Sequence, residues 1–342
     1  MPEPIRLALV GAGIFARDAH VPAIKALGDR FEIAAVYSRT RATAEALLPM
    51  LPGAPEVFTD LSALLRRPDI EAVDVLLPIE ALAAAIDMAL AAGKHVVSEK
   101  PIAQDVATGR RLISIYRNHP QQVWMVAENM RYVPAYRRAA EIVGSGEIGS
   151  VLLAHWAIHG SLSPGNKYYE TEWRRSGTFP GGFLLDGGVH QIAALREILG
   201  EIASVSAETR QMRADLPPAD TLTAAMQFES GVIGHYSATY AARVSLPPSL
   251  LTIVGEKGVV RVNGETLEIT TDEETLNESV ASGGDVDAEL AAFADAIRTG
   301  APHLNSPLEA LRDVAVLEAM FSSAETGQRV EVDRLDDLEN PV

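Results

Sequence analysis

The sequence predicts an α/β domain with a parallel, doubly wound sheet, followed by an α+β domain with an open, mostly antiparallel sheet. Three observations carry this expectation. Apolar strand patterns alternate with helical ones through the first part of the chain. A glycine-rich turn, Gly11-Ala12-Gly13, follows the first strand pattern. Beyond about Asn129 the alternation gives way to longer strand-like segments joined by short polar turns.

Taken in order, Ile5 to Val10 reads as a strand, and a helix opens near Ile14. Phe31 to Tyr37 is the second strand and Arg41 to Leu51 the second helix; Glu56 to Phe58 is a short strand, and Leu61 to Arg66 a short helix. Ile70 to Leu77 and His95 to Ser98 are apolar strands flanking the alanine-rich helix Leu82 to Ala92, which Gly93 stops. Asp105 to Arg117 reads as a helix and Gln122 to Ala127 as a strand. Strands apolar along their whole length fit a parallel sheet covered on both faces. In the second part, a helix from Pro134 to Val143 runs into Gly144-Ser145-Gly146. Strands are expected over Val151 to His159, Ala203 to Met212, Thr221 to Phe228, Val232 to Tyr240, Leu250 to Val254 and Val259 to Val262. Two helices follow, the second opened by Ser306-Pro307-Leu308-Glu309, a capping box with proline in the first turn. Asp272 to Asp285 is polar and is expected to be a loop. The domain boundary is set between residues 125 and 126, giving 1–125 and 126–342. An open sheet must have its bare face covered, so a homodimer or homotetramer through that face is expected.

Composition narrows the partners. The 342 residues are 47% hydrophobic and 22% charged, the balance of a globular chain. They carry 29 basic and 46 acidic side chains, a formal charge of −17. Such a body repels phosphate backbones and anionic lipid, so neither nucleic acid nor membrane is an expected partner. With no cysteine, disulfides, thiolate catalysis and cysteine-ligated metals are excluded. The apolar run from Ile5 to Gly11 is too short for a signal peptide or a membrane span, so the expected location is cytoplasmic.

The turn Gly11-Ala12-Gly13-Ile14-Phe15-Ala16 sits between a strand and a helix, the context in which a glycine turn binds a dinucleotide. The first glycine makes the tight turn and the second admits the pyrophosphate. The small third residue lets helix and strand pack closely, and helix-end N–H groups face the anion. Gly11, Gly13, Ile14 and Phe15 are therefore candidate cofactor contacts, and the domain reads as a Rossmann domain. At the end of the second strand NAD binders usually carry an acid for the ribose 2′-hydroxyl. Here Ser38, Arg39, Thr40 and Arg41 supply hydroxyls and guanidiniums instead, which suit a 2′-phosphate. The expectation is NADP(H) in preference to NAD(H). The competing reading makes Arg39 and Arg41 solvated helix-start residues. Other strand ends add Leu77, Pro78, Glu99, Lys100 and Asn129 to the cofactor contacts.

Glu99-Lys100-Pro101 closes a strand at the edge where doubly wound sheets bind ligands. A lysine there can hydrogen-bond a substrate hydroxyl, or simply make a surface salt bridge. Asp186 and His190 lie one helical turn apart in Asp186-Gly187-Gly188-Val189-His190. A carboxylate beside an imidazole orients it and raises its basicity, which suits proton transfer near neutral pH. The same pattern fits an N-cap and a first-turn surface histidine.

The glycine turn, the run Ala92-Gly93-Lys94-His95-Val96-Val97-Ser98-Glu99-Lys100-Pro101 and the later Asp186-Gly187-Gly188-Val189-His190 occur in this order in the glucose–fructose oxidoreductase / inositol dehydrogenase (Gfo/Idh/MocA) family, which the chain resembles over nearly its whole length. The resemblance implies that Lys100 is catalytic, that Lys100-Pro101 is a candidate cis bond, and that His190 moves the proton with Asp186 orienting it. It also implies a small polyhydroxylated substrate, a sugar or polyol, oxidised or reduced at a carbon bearing the reacting oxygen. Asn129-Met130-Arg131-Tyr132 resembles a segment that faces cofactor and substrate in the family. Arg131 and Tyr132 join Lys100, Asp186 and His190 as candidate substrate contacts, with Trp173 and Arg174 of the preceding loop; the competing readings are a domain-linking packing motif for Arg131 and Tyr132 and a subunit interface for the loop aromatics. There are departures. Ala193 stands where many members have an aspartate, and Pro78-Ile79-Glu80-Ala81-Leu82 stands where many have Pro-Asn-x-x-His. Two other readings share these features: a dinucleotide-binding sensor or regulator without catalysis, and an NAD-dependent glycosidase. His155 and His159 have helical zinc spacing but sit in a strand pattern with no third ligand in sequence, so no metal is expected.

Overall fold

The computed structural model describes residues 3–244, 249–281, 283 and 285–339. By packing the chain divides into two compact units. One runs to Asn129 and takes in the described residues of 284–311 and 336–342; the other holds 130–283 and 312–335. Sequence places one boundary near residue 125; in the structure the chain crosses near that point and later returns to the first unit.

In the first unit, strands β1 (Ile5–Val10), β2 (Phe31–Tyr37), β3 (Glu56–Phe58), β4 (Ala72–Val75), β5 (His95–Glu99) and β6 (Trp124–Ala127) form one sheet in the order β3-β2-β1-β4-β5-β6. Every pairing is parallel. The order reverses between β1 and β4, and such a switch point opens a crevice at the carboxyl ends of the strands. The connecting helices are α1 (Val21–Ala26), α2 (Arg41–Leu47), α3 (Leu61–Leu65), α4 (Ile79–Ala91) and α5 (Val106–Tyr116). Before α1 the chain makes a wide π-turn over Ala16–His20, a local irregularity frequent at functional sites. Asp60 and Asp105 cap α3 and α5 by accepting from Ser62 N–H and Thr108 N–H. Gly93, at φ 74°, follows the end of α4 as expected. The core beside β1 gathers Ile5, Leu7, Leu9, Ile24 and Val36 together with Leu290 and Phe293 from a later helix.

The second unit is built on α6 (Pro134–Ser145), β7 (Val151–His159), α7 (Glu172–Arg175), α8 (Gly182–Leu199), β8 (Ile202–Arg210), β9 (Thr221–Phe228), β10 (Ile233–Thr239), β11 (Leu250–Gly255), β12 (Gly258–Asn263), β13 (Thr266–Thr271) and β14 (Thr275–Ser279). Helix α9 (Asp285–Thr299) belongs to the first unit, and α10 (Pro307–Thr326) and β15 (Val330–Glu331) close the chain's regular structure. The nine strands run β14-β13-β12-β11-β7-β10-β9-β8-β15, antiparallel except that β7 and β10 pair in parallel. Burial alternates cleanly along β9 and β10: Leu222, Ala224, Met226 and Tyr236 face inward while Thr223, Ala225, Ile233 and His235 face water. Helix α8 lies on the inner face, where Tyr236 Oη donates to Gln191 Oε1 at 3.2 Å. Ser306 accepts from Glu309 N–H at 3.2 Å, so the expected cap forms. The stretch expected to be a loop contains β14, which pairs with β13 at the sheet edge. Its polar, mostly exposed residues carry no inward apolar alternation, as befits an edge strand. Among the described residues no helix is long and apolar enough to cross a membrane.

Candidate active site

The glycine turn is held from both sides. Gly11 N–H donates to the Tyr37 carbonyl at 3.0 Å, tying the turn to the end of β2. Gly11 has φ 128°, and a Cβ there would lie 2.3 Å from the Leu76 carbonyl oxygen, so only glycine fits. Gly13 is the opposite case: a Cβ would meet nothing within 4 Å. Its bare backbone opens onto free space at the start of the helix, a cradle that fits a pyrophosphate. Ile14 and Phe15, both half-buried, begin that helix. Beyond β2, Ser38 N–H is pinned to the Phe58 carbonyl at 3.1 Å, and Arg39, Thr40 and Arg41 are exposed. Arg41 lies 3.6 Å from Glu45, and with both side chains more than half exposed the pair is worth little.

Leu77 and Pro78 lie half-buried beyond β4, and Glu99 and Lys100 half-buried at and beyond the end of β5. Because the strands are parallel, these residues and the glycine turn share one sheet edge. The Lys100–Pro101 bond is cis, as the resemblance implies. Asn129 follows β6 and donates through Nδ2 to the Asp285 carboxylate of α9. Beneath this edge lies a pair that sequence reading passes over. His20 Nδ1 meets Asp74 Oδ2 at 2.7 Å, with both side chains fully buried. The signal was an aspartate in an otherwise apolar buried strand.

In the second unit, α8 presents Asp186 and His190 one turn apart. Arg174 Nε donates to Asp186 Oδ2 at 2.8 Å, and Arg174 Nη1 to Thr171 Oγ1 at 3.1 Å. The same guanidinium lies 4.1 Å from the Trp173 ring centre and 5.3 Å from that of Tyr168, within cation–π range. Trp173, Arg174 and Asp186 thus form one cluster, with half-buried His190 one turn along the helix. Tyr240 is a further member that sequence reading missed. A Cβ on Gly187 would fall 2.0 Å from its hydroxyl, so this glycine inside α8 makes room for the phenol. Burial first, and then the Asp186 charge, pushes the Tyr240 phenol above its ordinary value.

One candidate is reassigned. Arg131 is 3% exposed and donates through Nη2 to Asp313 Oδ2 at 2.7 Å, and Asp313 Oδ1 accepts from Arg196 Nη1 at 2.6 Å. Buried and paired with Asp313, Arg131 fits the packing reading better than that of a substrate contact. Tyr132, next to it, is half-buried. Among the described residues no group of three or more His, Asp or Glu side chains is arranged to hold a metal ion.

Residues 5–127 match the family model for the NAD-binding Rossmann fold of the Gfo/Idh/MocA oxidoreductase family, and residues 140–332 match that for its C-terminal alpha/beta domain. Among known proteins, the dehydrogenase FPY6 of Fusarium mangiferae is 36% identical over 94% of this chain and 96% of its own. The D-xylose 1-dehydrogenase (NADP(+)) 2 of Haloferax volcanii is 27% identical over 92% and 95% of the two chains. An oxidoreductase from Thermotoga maritima superposes with a TM-score of 0.90 at 38% identity, covering 96% of this chain and 98% of that one. A levoglucosan dehydrogenase in complex with NADH shares the fold, with a TM-score of 0.86 at 21% identity over 97% and 100% of the two chains. With both domains matched in order and a relative aligned along almost its whole length, this chain belongs to the Gfo/Idh/MocA family of oxidoreductases.

Proposed function

We propose that the protein is an NADP(H)-preferring dehydrogenase or reductase acting on a CH–OH carbon of a sugar, a polyol or a related carbonyl compound. The observation that carries this reading is the shared sheet edge: the open backbone at Gly13, the hydroxyl- and arginine-bearing loop Ser38–Arg41 and Lys100 all lie at the carboxyl ends of parallel strands. Preference for the 2′-phosphate follows from the absence of a carboxylate in that loop and the exposure of Arg39 and Arg41. The polyhydroxylated substrate is supported by relatives named for sugars, and by the loop that sets Trp173 and Arg174 beside Asp186.

In this reading the nicotinamide supplies the hydride chemistry when bound. Lys100 hydrogen-bonds the reacting oxygen. His190 accepts the hydroxyl proton at an imidazole nitrogen, or returns it in the reverse direction, and Asp186 orients the ring. Arg174 holds Asp186 in place, and a substrate hydroxyl would meet its in-plane N–H donors. The native assembly is a homodimer or homotetramer formed through the exposed face of the nine-stranded sheet.

The test is a screen of aldoses, sugar acids and polyols with NADP+ and NAD+, followed by absorbance at neutral and alkaline pH. Lys100→Met and His190→Asn are expected to lower kcat by at least about a hundredfold while NADPH still binds. Full turnover in Lys100→Met refutes the assignment. Turnover of a glycoside with no net change in nicotinamide absorbance assigns the chain to transient oxidation instead.

A further inference from the structure

The chain from 160 to 181, between β7 and α8, carries Trp173 and Arg174 and holds one short helix, α7. Irregular connections of this length are uncommon in compact domains, and one that lines a site must be fixed by contacts of its own. A cluster that no step above uses supplies them. Tyr169 is 7% exposed and packs with Leu162, Phe183 and Leu216. Its Oη donates to Asp215 Oδ2 at 2.8 Å, in the segment between β8 and β9. Arg213 donates to the same carboxylate through Nε at 3.2 Å and Nη2 at 2.5 Å, and through Nη1 to the Leu162 carbonyl. Arg175 Nε donates to the Tyr169 carbonyl at 2.6 Å, with its guanidinium 4.6 Å from the Tyr169 ring centre. The segment that carries Asp215 is itself anchored, because Met212 N–H and Arg213 N–H donate to the fully buried Asp220 carboxylate at 3.0 and 2.7 Å.

These contacts form a clip. Asp215 takes hold of the loop at Tyr169, and Arg213 takes hold of it again at Leu162. From Tyr169 the fixing passes to Arg175 and so to α7, whose Arg174 meets Asp186 of α8. Arg213, and after it Tyr169, hold the Asp215 carboxyl down at about 2, so the clip keeps its charge through the neutral and alkaline range. We propose that Tyr169, Arg213 and Asp215 are positioning residues, and that their clip sets where Trp173 and Arg174 stand beside Asp186, and with them the wall that a sugar meets. This rests on the reading of Trp173 and Arg174 as substrate contacts given above, but the placement of α7 is tested without turnover.

The experiment incorporates 5-fluorotryptophan into the whole chain, whose three tryptophans give three fluorine resonances, with Trp173 assigned by Trp173→Phe. In Tyr169→Phe and in Asp215→Ala the Trp173 resonance is expected to shift or broaden, while those of buried Trp124 and Trp156 stay in place. Trypsin should cut after Lys167, Arg174 and Arg175 about tenfold faster in both variants, because a loop freed of its clip opens locally. Cleavage after exposed Arg39, in the first unit, keeps its rate. With the fastest sugar of the screen above, KM should rise about fivefold, the equivalent of one hydrogen bond, with the KM for NADP+ unmoved. In a Trp173→Ala/Arg174→Ala background the same two changes add nothing to the sugar KM, because they act through those side chains. Should Asp215→Ala strand the Arg213 charge and fail to fold, Arg213→Met/Asp215→Ala removes the pair together and gives the same signature. A Trp173 resonance that stays put in a folded variant overturns the proposal, and so does an equal rise in KM in both backgrounds. If no sugar turns over, the parent reading falls, while the fluorine and cleavage data still judge the clip.

Discussion

Two glycines two residues apart do different work, and their substitution separates fold from binding. Gly11→Ala drives a methyl into the Leu76 carbonyl at a backbone angle that L-residues avoid. It is expected to cost about 1–3 kcal/mol of stability and to lower the thermal midpoint. Gly13→Ala meets nothing in the folded chain, so the midpoint should hold while NADPH affinity falls, as the methyl fills the space a pyrophosphate takes. Thermal melts and fluorescence titration of the two variants decide this, and equal loss of stability in both would contradict it. At the end of β2, Ser38→Asp places a carboxylate where the 2′-phosphate is proposed to sit. The NADP/NAD ratio of kcat/KM should fall about tenfold or more by like-charge repulsion. An unmoved ratio removes this loop from cofactor selection. These residues were legible because their chemistry is local: a turn needs its glycines and a strand end exposes its side chains. For Arg131 the sequence left a packing role open beside a substrate role, and its partner Asp313, far along the chain, could be found only in the structure. Tyr240 escaped for the same reason, although Gly187 inside α8 pointed to a close neighbour.

At the level of elements, alternation of strand and helix made the parallel sheet readable, and periodicity made the second sheet readable. What escaped were features decided by distant packing. Strand β14 is polar and paired along one edge, so it lacks the pattern that marks a strand from within. Helix α9 has an ordinary amphipathic sequence, and only the structure shows that its apolar face, Leu290 and Phe293, packs into the core beside β1. That helix also buries a carboxyl. Burial pushes Glu289 well above the ordinary carboxylate range; the charge on His20 opposes this, and Glu128 and Glu99 add to it. A pKa raised in the folded state means that the folded chain binds more protons than the unfolded one. The stabilising contribution is complete below the unfolded value, about 4.3, and is lost as pH climbs through the raised value. His20, also raised, contributes with the same sign. The thermal midpoint should therefore decline from about pH 5 to pH 9, and Glu289→Gln, which keeps the shape but does not titrate, should flatten that decline. The variant is expected to exceed the native chain by about 2–4 °C at the alkaline end. An identical slope in both proteins would show that this carboxyl does not titrate with folding.

For the molecule as a whole, the exposed face of the nine-stranded sheet is the feature that its surroundings must explain. A mostly antiparallel sheet can leave one face to water, but then that face is polar. Here β7 and β10 place Leu153 directly beside Ile233, and His155 beside His235, on the outward side. Ile233 is 56% exposed and Leu152, on the same strand as Leu153, is 51% exposed. The flanking outward positions on β9 are Thr223, Ala225 and Gln227, small or uncharged residues in a chain with a formal charge of −17. Such a chain keeps its surface charged for solubility, so a strip without carboxylates or ammonium groups is the surface that the proposed homo-oligomer would cover. In the proposed homo-oligomer a second copy of the same face would meet it about a twofold axis, with Leu153 and Ile233 inside the contact. Leu153→Glu/Ile233→Asp sets like charges across that axis without touching the inner face of the sheet. Sedimentation should then give a smaller assembly than the native chain, with an unchanged circular dichroism spectrum. A native chain that sediments as a monomer, or a variant that keeps the native mass, would send the search for the interface elsewhere.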